Sequence, residues 1–159
     1  MLLTREQLEP LVPHAEAMLM IDGVTAYDDQ RLCCVSLRHQ AADNPLRRDG
    51  RLSAHHGIEF AAQAAAVHGG LIDQDNRAPL RALAAVRKAS FSRPWLDDLA
   101  DRLEINADLI MVDRQAAVYQ ASLSHQGEII ASMRLTLMTI ASEMTITDEM
   151  SAGLGMSSS

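Results

Sequence analysis

Polar and apolar positions change rhythm several times along this chain, and each change predicts an element. Thr4 ahead of Glu6-Gln7-Leu8 caps a short first helix, which Pro10 and Pro13 stop. Met18-Leu19-Met20-Ile21 opens a strand running to about Tyr27. Asp28-Asp29-Gln30 reads as a turn, and Arg31 to His39 alternates as the second strand of a hairpin. Residues 40–52 are polar, contain Pro45 and Gly50, and read as a loop. From Ala54 to Ile72 the chain is alanine-rich, and Glu59 is the one formal charge between Arg51 and Asp73. A helix apolar almost all round is a buried helix. Ser53 stands ready to cap it, and Ala61, Ala62, Ala64, Ala65, Ala66, Gly69 and Gly70 let a sheet approach its axis closely. After a loop over Asp73–Pro79 come three or four strand candidates, drawn from Leu80–Phe91, Asp101–Val112, Gln115–Ser124 and Glu128–Ile140. Asp113-Arg114 and His125-Gln126-Gly127 supply hairpin turns between them.

A hairpin, one long buried helix and a following run of antiparallel strands define an α+β architecture. A single antiparallel sheet curves round one central helix, which is the hotdog arrangement. The predicted domain covers residues 1–142, and the glycine- and serine-rich end, 143–159, reads as a flexible tail. A lone sheet of this kind leaves an exposed edge, which pairing side by side would cover. A homodimer or higher even oligomer is therefore expected.

Composition narrows the picture. The chain has 159 residues, enough for a core without disulfides or metals. Aromatic residues make up only 3%, so Ala, Leu, Ile, Val and Met must build that core. No run of about 18 apolar residues is present, and the opening segment is too polar for a secretory signal, so no membrane association is expected. Cys33 and Cys34 are neighbours that a strand would point to opposite faces, which fits a reducing cytoplasm better than a disulfide framework. The net charge of −7 argues against nucleic acid as partner. Residues 47–93 nevertheless carry +4, leaving −11 elsewhere. Such a basic segment either steers an anionic carrier or is scattered solvated charge.

Three stretches carry a resemblance. Leu11-Val12-Pro13-His14 with Met18-Leu19-Met20-Ile21-Asp22 is similar to the opening of the 3-hydroxyacyl-ACP dehydratases of fatty-acid synthesis. Gly57-Ile58-Glu59-Phe60-Ala61-Ala62-Gln63-Ala64-Ala65 resembles their central helix, and Val86-Arg87-Lys88-Ala89-Ser90-Phe91-Ser92-Arg93-Pro94 the strand after it. The stretches stand in family order at family spacing over residues 10–140. Asn44-Pro45-Leu46-Arg47-Arg48-Asp49-Gly50 and Ala66-Val67-His68-Gly69 resemble a narrower branch, the stand-alone dehydratase-like proteins encoded with polyketide or aryl-polyene synthesis genes. The resemblance implies a hotdog fold and action on an acyl thioester carried by acyl carrier protein or coenzyme A, without a cofactor. It also marks a departure: the family's histidine, fourteen positions before the helix acid, is replaced here by Pro45, preceded by Asn44.

Dehydrating a 3-hydroxyacyl thioester requires a base for the α-proton, an acid for the departing hydroxyl and donors for the enolate-like oxygen. Glu59 is the expected catalytic carboxylate, with Gln63 one turn on as a partner at the substrate; the alternative is a structural Glu59–Gln63 pair. Gly57 sits where backbone could approach the thioester carbonyl, and the helix end offers N–H groups and its dipole. His55 and His56 precede Glu59 by four and three positions, and His56 is the candidate replacement for the missing base; both also suit a capping segment. Asn44 is a second catalytic candidate, His14 a possible pocket residue, and Arg47 and Arg48 candidate contacts to substrate or carrier. His68 lies about half a turn round from Glu59 and reads as packed against the sheet. His55, His56 and Glu59 lack a second cluster to complete a metal site, so no metal is expected. Two other activities fit the same residues. A hotdog thioesterase could use Glu59 with Asn44, and a non-catalytic subunit could complete a heterodimer with an active homologue.

Overall fold

The computed structural model describes residues 1–11, 18–73 and 81–140. The predicted stop at Pro13, His14, most of the 73–79 loop and the predicted tail lie outside the described residues. The elements run β1 (Leu3–Thr4), α1 (Arg5–Leu8), β2 (Gly23–Tyr27), β3 (Arg31–Ser36), α2 (Gly57–Ile72), β4 (Arg81–Phe91), β5 (Leu103–Val112), β6 (Ala116–His125) and β7 (Glu128–Thr139). All seven strands form one antiparallel sheet in the order β1-β2-β3-β5-β6-β7-β4. Among the described residues no helix is long and apolar enough to cross a membrane.

Alternation in the sequence becomes two faces in the sheet. Ala117, Tyr119, Ala121 and Leu123 of β6 and Ala131, Met133, Leu135 and Leu137 of β7 point inward and are buried. Gln120, Ser122, Ser124, Ser132, Arg134 and Thr136 point outward between them. Against the inner face lies α2, burying Phe60, Ala61, Ala64, Ala65 and Val67. It packs over β3, β5 and β6 and reaches β7. Of the predicted small residues Ala61, Ala64 and Ala65 are buried beneath the helix, whereas Ala62, Ala66, Gly69 and Gly70 are only partly covered.

The turns follow from local chemistry. Oδ1 of Asp28 accepts the N–H groups of Gln30 and Arg31, and Oδ1 of Asp113 accepts those of Gln115 and Ala116. These donors hold both carboxyls below the usual aspartate range. Gln126 and Gly127, with φ of 52° and 84°, make the tight β6–β7 turn.

Four expectations need correction. The first strand begins at Gly23, not Met18, because the backbone at Met18 and Met20 bonds the Gln63 side chain instead of a neighbouring strand. The second strand ends at Ser36 rather than His39. Leu37 N–H donates to Asp22 Oδ2 and Arg38 N–H to Ser36 Oγ, turning the chain into a 3-10 turn over Arg38–Gln40. Ser53 caps as predicted, but Ala54–His56 is a 3-10 turn and the α-helix starts at Gly57. Finally, β5, β6 and β7 form the meander, whereas β4 is displaced to the far edge beside β7.

His68 is fully buried at the far end of α2, as its packed reading implied. Its Nε2 lies 2.8 Å from the Asp28 carbonyl, which can only accept, so Nε2 carries the hydrogen. Nδ1 therefore accepts from the Tyr119 hydroxyl at 2.8 Å. Burial pushes the Tyr119 pKa up to about 12, keeping that hydroxyl a donor.

A second buried histidine makes stability depend on pH. His39 Nε2 meets the Leu99 carbonyl at 3.1 Å, while its Nδ1 has no partner. Burial holds its pKa below the ordinary histidine value, and His125 and Arg47 add to the effect. The unfolded chain thus takes up the proton first as pH falls. Stability should be fully present above about pH 6.5, the unfolded value, and fall as the solution is acidified below it. Thermal melts from pH 8 to pH 5 should show this loss, and His39→Leu should flatten it. Gln40 Nε2 still serves the Leu99 carbonyl in that variant. An unchanged pH slope in His39→Leu would remove His39 as its source.

Candidate active site

The start of α2 is built by contacts far apart in sequence. Between β4 and β5 the chain doubles back along residues 51–54. Ala54 N–H donates to the Pro94 carbonyl and Leu96 N–H to the Leu52 carbonyl, each at 2.9 Å. Asp97 accepts Leu52 N–H at 2.8 Å and the Arg51 guanidinium at 2.9 Å. Arg51 also lies 4.4 Å above the Trp95 ring. Trp95 and Asp97 were not singled out from the sequence, because their role exists only once this strap crosses the helix start.

Glu59 stands in the first turn of α2 and is half-buried. Gln63, buried one turn on, donates from Nε2 to Glu59 Oε1 at 3.0 Å and to the Met18 carbonyl at 2.7 Å. Its Oε1 accepts Met20 N–H at 2.6 Å. Three bonds fix the amide, so the carboxylate it holds has a defined orientation. His56 is half-buried immediately before the helix. Burial lowers its pKa, His55 and Arg48 lower it further, and the nearby Glu59 carboxylate opposes them. His56 is therefore a neutral imidazole at neutral pH, able to accept a proton. His55 is exposed, its ring 5.8 Å from that of Phe91 on β4.

Other predicted residues are engaged elsewhere. Gly57 lacks a side chain for packing: an added Cβ would lie 3.0 Å from Leu123 Cδ2. Its N–H bonds back to the Ala54 carbonyl, and those of His55 and His56 go to Ser53. The 3-10 turn thus occupies N–H groups that a simple helix start would leave open. Asn44 is buried; its Nδ2 donates to the Arg38 carbonyl at 2.8 Å and lies 3.5 Å from Met20 Sδ, and its Oδ1 accepts Leu46 N–H at 2.8 Å. Arg47 clamps its own loop, donating to the carbonyls of Ala41, Gly50 and His39. Arg48 is exposed and donates to the carbonyls of Pro45 and Arg47. Arg51 is neutralised by Asp97 and Asp98, and Arg93 by Asp98. Much of the basic segment is therefore internal scaffolding. The structure gathers Glu59, Gln63 and His56, and seats Asn44 and Arg47 in the supporting loop.

The single sheet packed against one long helix is a hotdog fold. A family model described as ApeP dehydratase matches residues 6–148, and the chain belongs to this ApeP-like family. Among solved structures, it is similar to the ApeI:P dehydratase heterocomplex from Xenorhabdus doucetiae, with 21% identity and a TM-score of 0.76 over 88% of this chain and 95% of that one. It also matches a mutant thioesterase from Pseudomonas aeruginosa, with 20% identity and a TM-score of 0.63 over 88% and 96% of the two chains. A thioesterase from Haemophilus influenzae aligns at 18% identity and a TM-score of 0.62 over 89% and 96%. At such identities the likeness concerns the fold. No curated protein matches the chain.

The Gln63 bonds yield a stability prediction. Gln63→Ala leaves the Met18 carbonyl and Met20 N–H buried without their partner, at about 1–3 kcal/mol for each unsatisfied group. Chemical denaturation should show a loss of about 2–6 kcal/mol. A loss below about 1 kcal/mol would mean that the Met18–Met20 segment finds other partners.

Proposed function

We propose that this chain is one half of a two-chain hotdog dehydratase acting on a 3-hydroxyacyl thioester. Glu59, held by Gln63 beside a neutral His56, is the observation that carries this reading. In the reaction His56 takes the proton from the carbon next to the thioester carbonyl. Glu59, carrying a proton when the substrate is bound, delivers it to the hydroxyl on the following carbon, which leaves as water as the double bond forms, and the proton held by His56 then passes back to the Glu59 carboxylate. Asn44 and Arg47 shape the loop that borders the site and do not touch substrate. Arg48, exposed and electrostatically coupled to His56, faces the phosphate of a carrier-bound or coenzyme A thioester. Two free cysteines, Cys33 and Cys34, suit a cytoplasmic setting.

The open edge of the sheet calls for a second chain. Leu83, Val86 and Phe91 of β4 face inward opposite Leu137, Leu135 and Ala131. The helix packs on β3, β5 and β6, so these side chains are only partly covered, Leu83 being 39% exposed. Phe91 also touches His55 at the candidate site. A chain paired along β4 would both cover these residues and border Glu59. The Xenorhabdus doucetiae relative is a heterocomplex, which makes a homologous hotdog subunit the partner that fits best.

Purified chain, alone and with its homologous hotdog subunit, should be given 3-hydroxyacyl-ACP while enoyl product and free thiol are followed separately. Enoyl product is expected, and Glu59→Gln should lower its rate by about 10²–10⁴-fold while leaving the fold intact. His56→Ala should lose comparable activity. Because the His56 pKa is depressed, wild-type kcat/KM should hold down to about pH 6.5 and fall only in more acid solution, a limb absent from residual His56→Ala activity. Free thiol without enoyl product would instead identify a thioesterase. Full activity of Glu59→Gln in the assembled pair would make this chain a non-catalytic support of an active partner.

A further inference from the structure

Strand β4 carries Arg81, Arg87 and Lys88 and no acidic residue, within a chain of net charge −7. The register places Arg87 beside Arg134 of β7 on the outer face of the sheet. Neighbouring strands lie about 4.8 Å apart, and like charges directly opposite each other are destabilising. The same row continues through Gln120 to Asp108, whose carboxylate is taken by Arg31 at 3.5 Å. Gln120 donates to Ser132 Oγ. Among the described residues neither Arg87 nor Arg134 meets a carboxylate, and the buried Nε of Arg134 has no hydrogen-bond partner. Among the described residues Arg31, Arg38, Arg51 and Arg93 meet carboxylates, and Arg47, Arg48 and Arg81 donate to loop carbonyls. Here two stand side by side, uncompensated, at the edge where a second chain would pair.

In a symmetric pair of identical chains β4 would meet its own copy antiparallel, bringing residues near its midpoint close to their counterparts. Arg87 follows that midpoint, Val86, so self-pairing would gather four arginines, two from each chain, on one face. We propose that Arg87 and Arg134 select a homologous hotdog chain bearing carboxylates on the matching edge strand, and disfavour pairing of this chain with itself. This inference rests on the β4 pairing proposed above. The arginines act as a specificity device: repulsion rejects the wrong partner, and the right one neutralises them.

A copy of the full chain carrying Arg87→Glu and Arg134→Glu serves as the acidic partner. Sedimentation equilibrium should show the wild-type and reversed chains associating at least about tenfold more tightly than wild type with itself at low salt. The difference should vanish near 1 M NaCl, where the Debye length is about 3 Å. Wild-type self-association should strengthen with salt, and also in Arg87→Gln/Arg134→Gln, which keeps the test open should the reversed chain fold poorly. A mixture that stays monomeric, or binds no tighter than wild type alone, overturns the inference and leaves the charges of β4 as protection against association. Hydrogen exchange separates the two claims. Association without slowed exchange at β4 amides removes the β4 pairing itself, and the charge inference with it. Slowed β4 exchange with no effect of charge removes only the charge inference.

Discussion

The Gln63 side chain is the constraint on which the site depends. A buried primary amide must satisfy both its ends, and on α2 it does so with the Met18 carbonyl, the Met20 N–H and the Glu59 carboxylate. The first two bonds tie Met18 and Met20 to the helix, and this segment joins the sheet only at Asp22, whose N–H donates to the Val35 carbonyl. Leu19, Met20 and Ile21 are carried into the core by those ties. The third bond orients the acid. One amide therefore ties the N-terminal segment, the core and the candidate catalytic group to one another.

Much of the fold was legible because its signals are local. Alternation in β6 and β7 and the alanine-rich run of α2 each act within a few residues, as do the aspartate turns at Asp28 and Asp113. The errors arose where a distant side chain diverted the backbone. Asp22 reaches Leu37 and ends β3, and Gln63 reaches Met18 and delays β2. Strand order is non-local in the same sense: no pattern within β4 states that its neighbour will be β7. The His55–Phe91 contact and the strap of residues 92–99 follow from that placement.

For the site, residue type was more legible than residue use. Glu59 and Gln63 lie one helical turn apart, and they meet. The arginines show the limit of reading charge from composition. Their positive excess between residues 47 and 93 is real, but Arg51 and Arg93 spend it on Asp97 and Asp98 of the loop that holds the helix start. A charge already paired at close range contributes little to a field that a distant carrier could sense.

The half-buried state of Glu59 and the uncovered inner side of β4 are aspects of one geometry. A single helix is narrower than the seven-stranded sheet beneath it, so its cover runs out before the last strand. The site begins at the helix end, where the His55 ring meets Phe91 of that strand. Any chain that completes the apolar cover over Leu83 and Val86 must also approach this end of the helix. Covering the site would exclude water and strengthen interactions between Glu59, His56 and a bound thioester, because charges act more strongly at lower effective dielectric. Assembly and proton-transfer chemistry would thus be coupled through the same edge. A partner chosen by the charges of β4 would determine which second surface completes the reaction site.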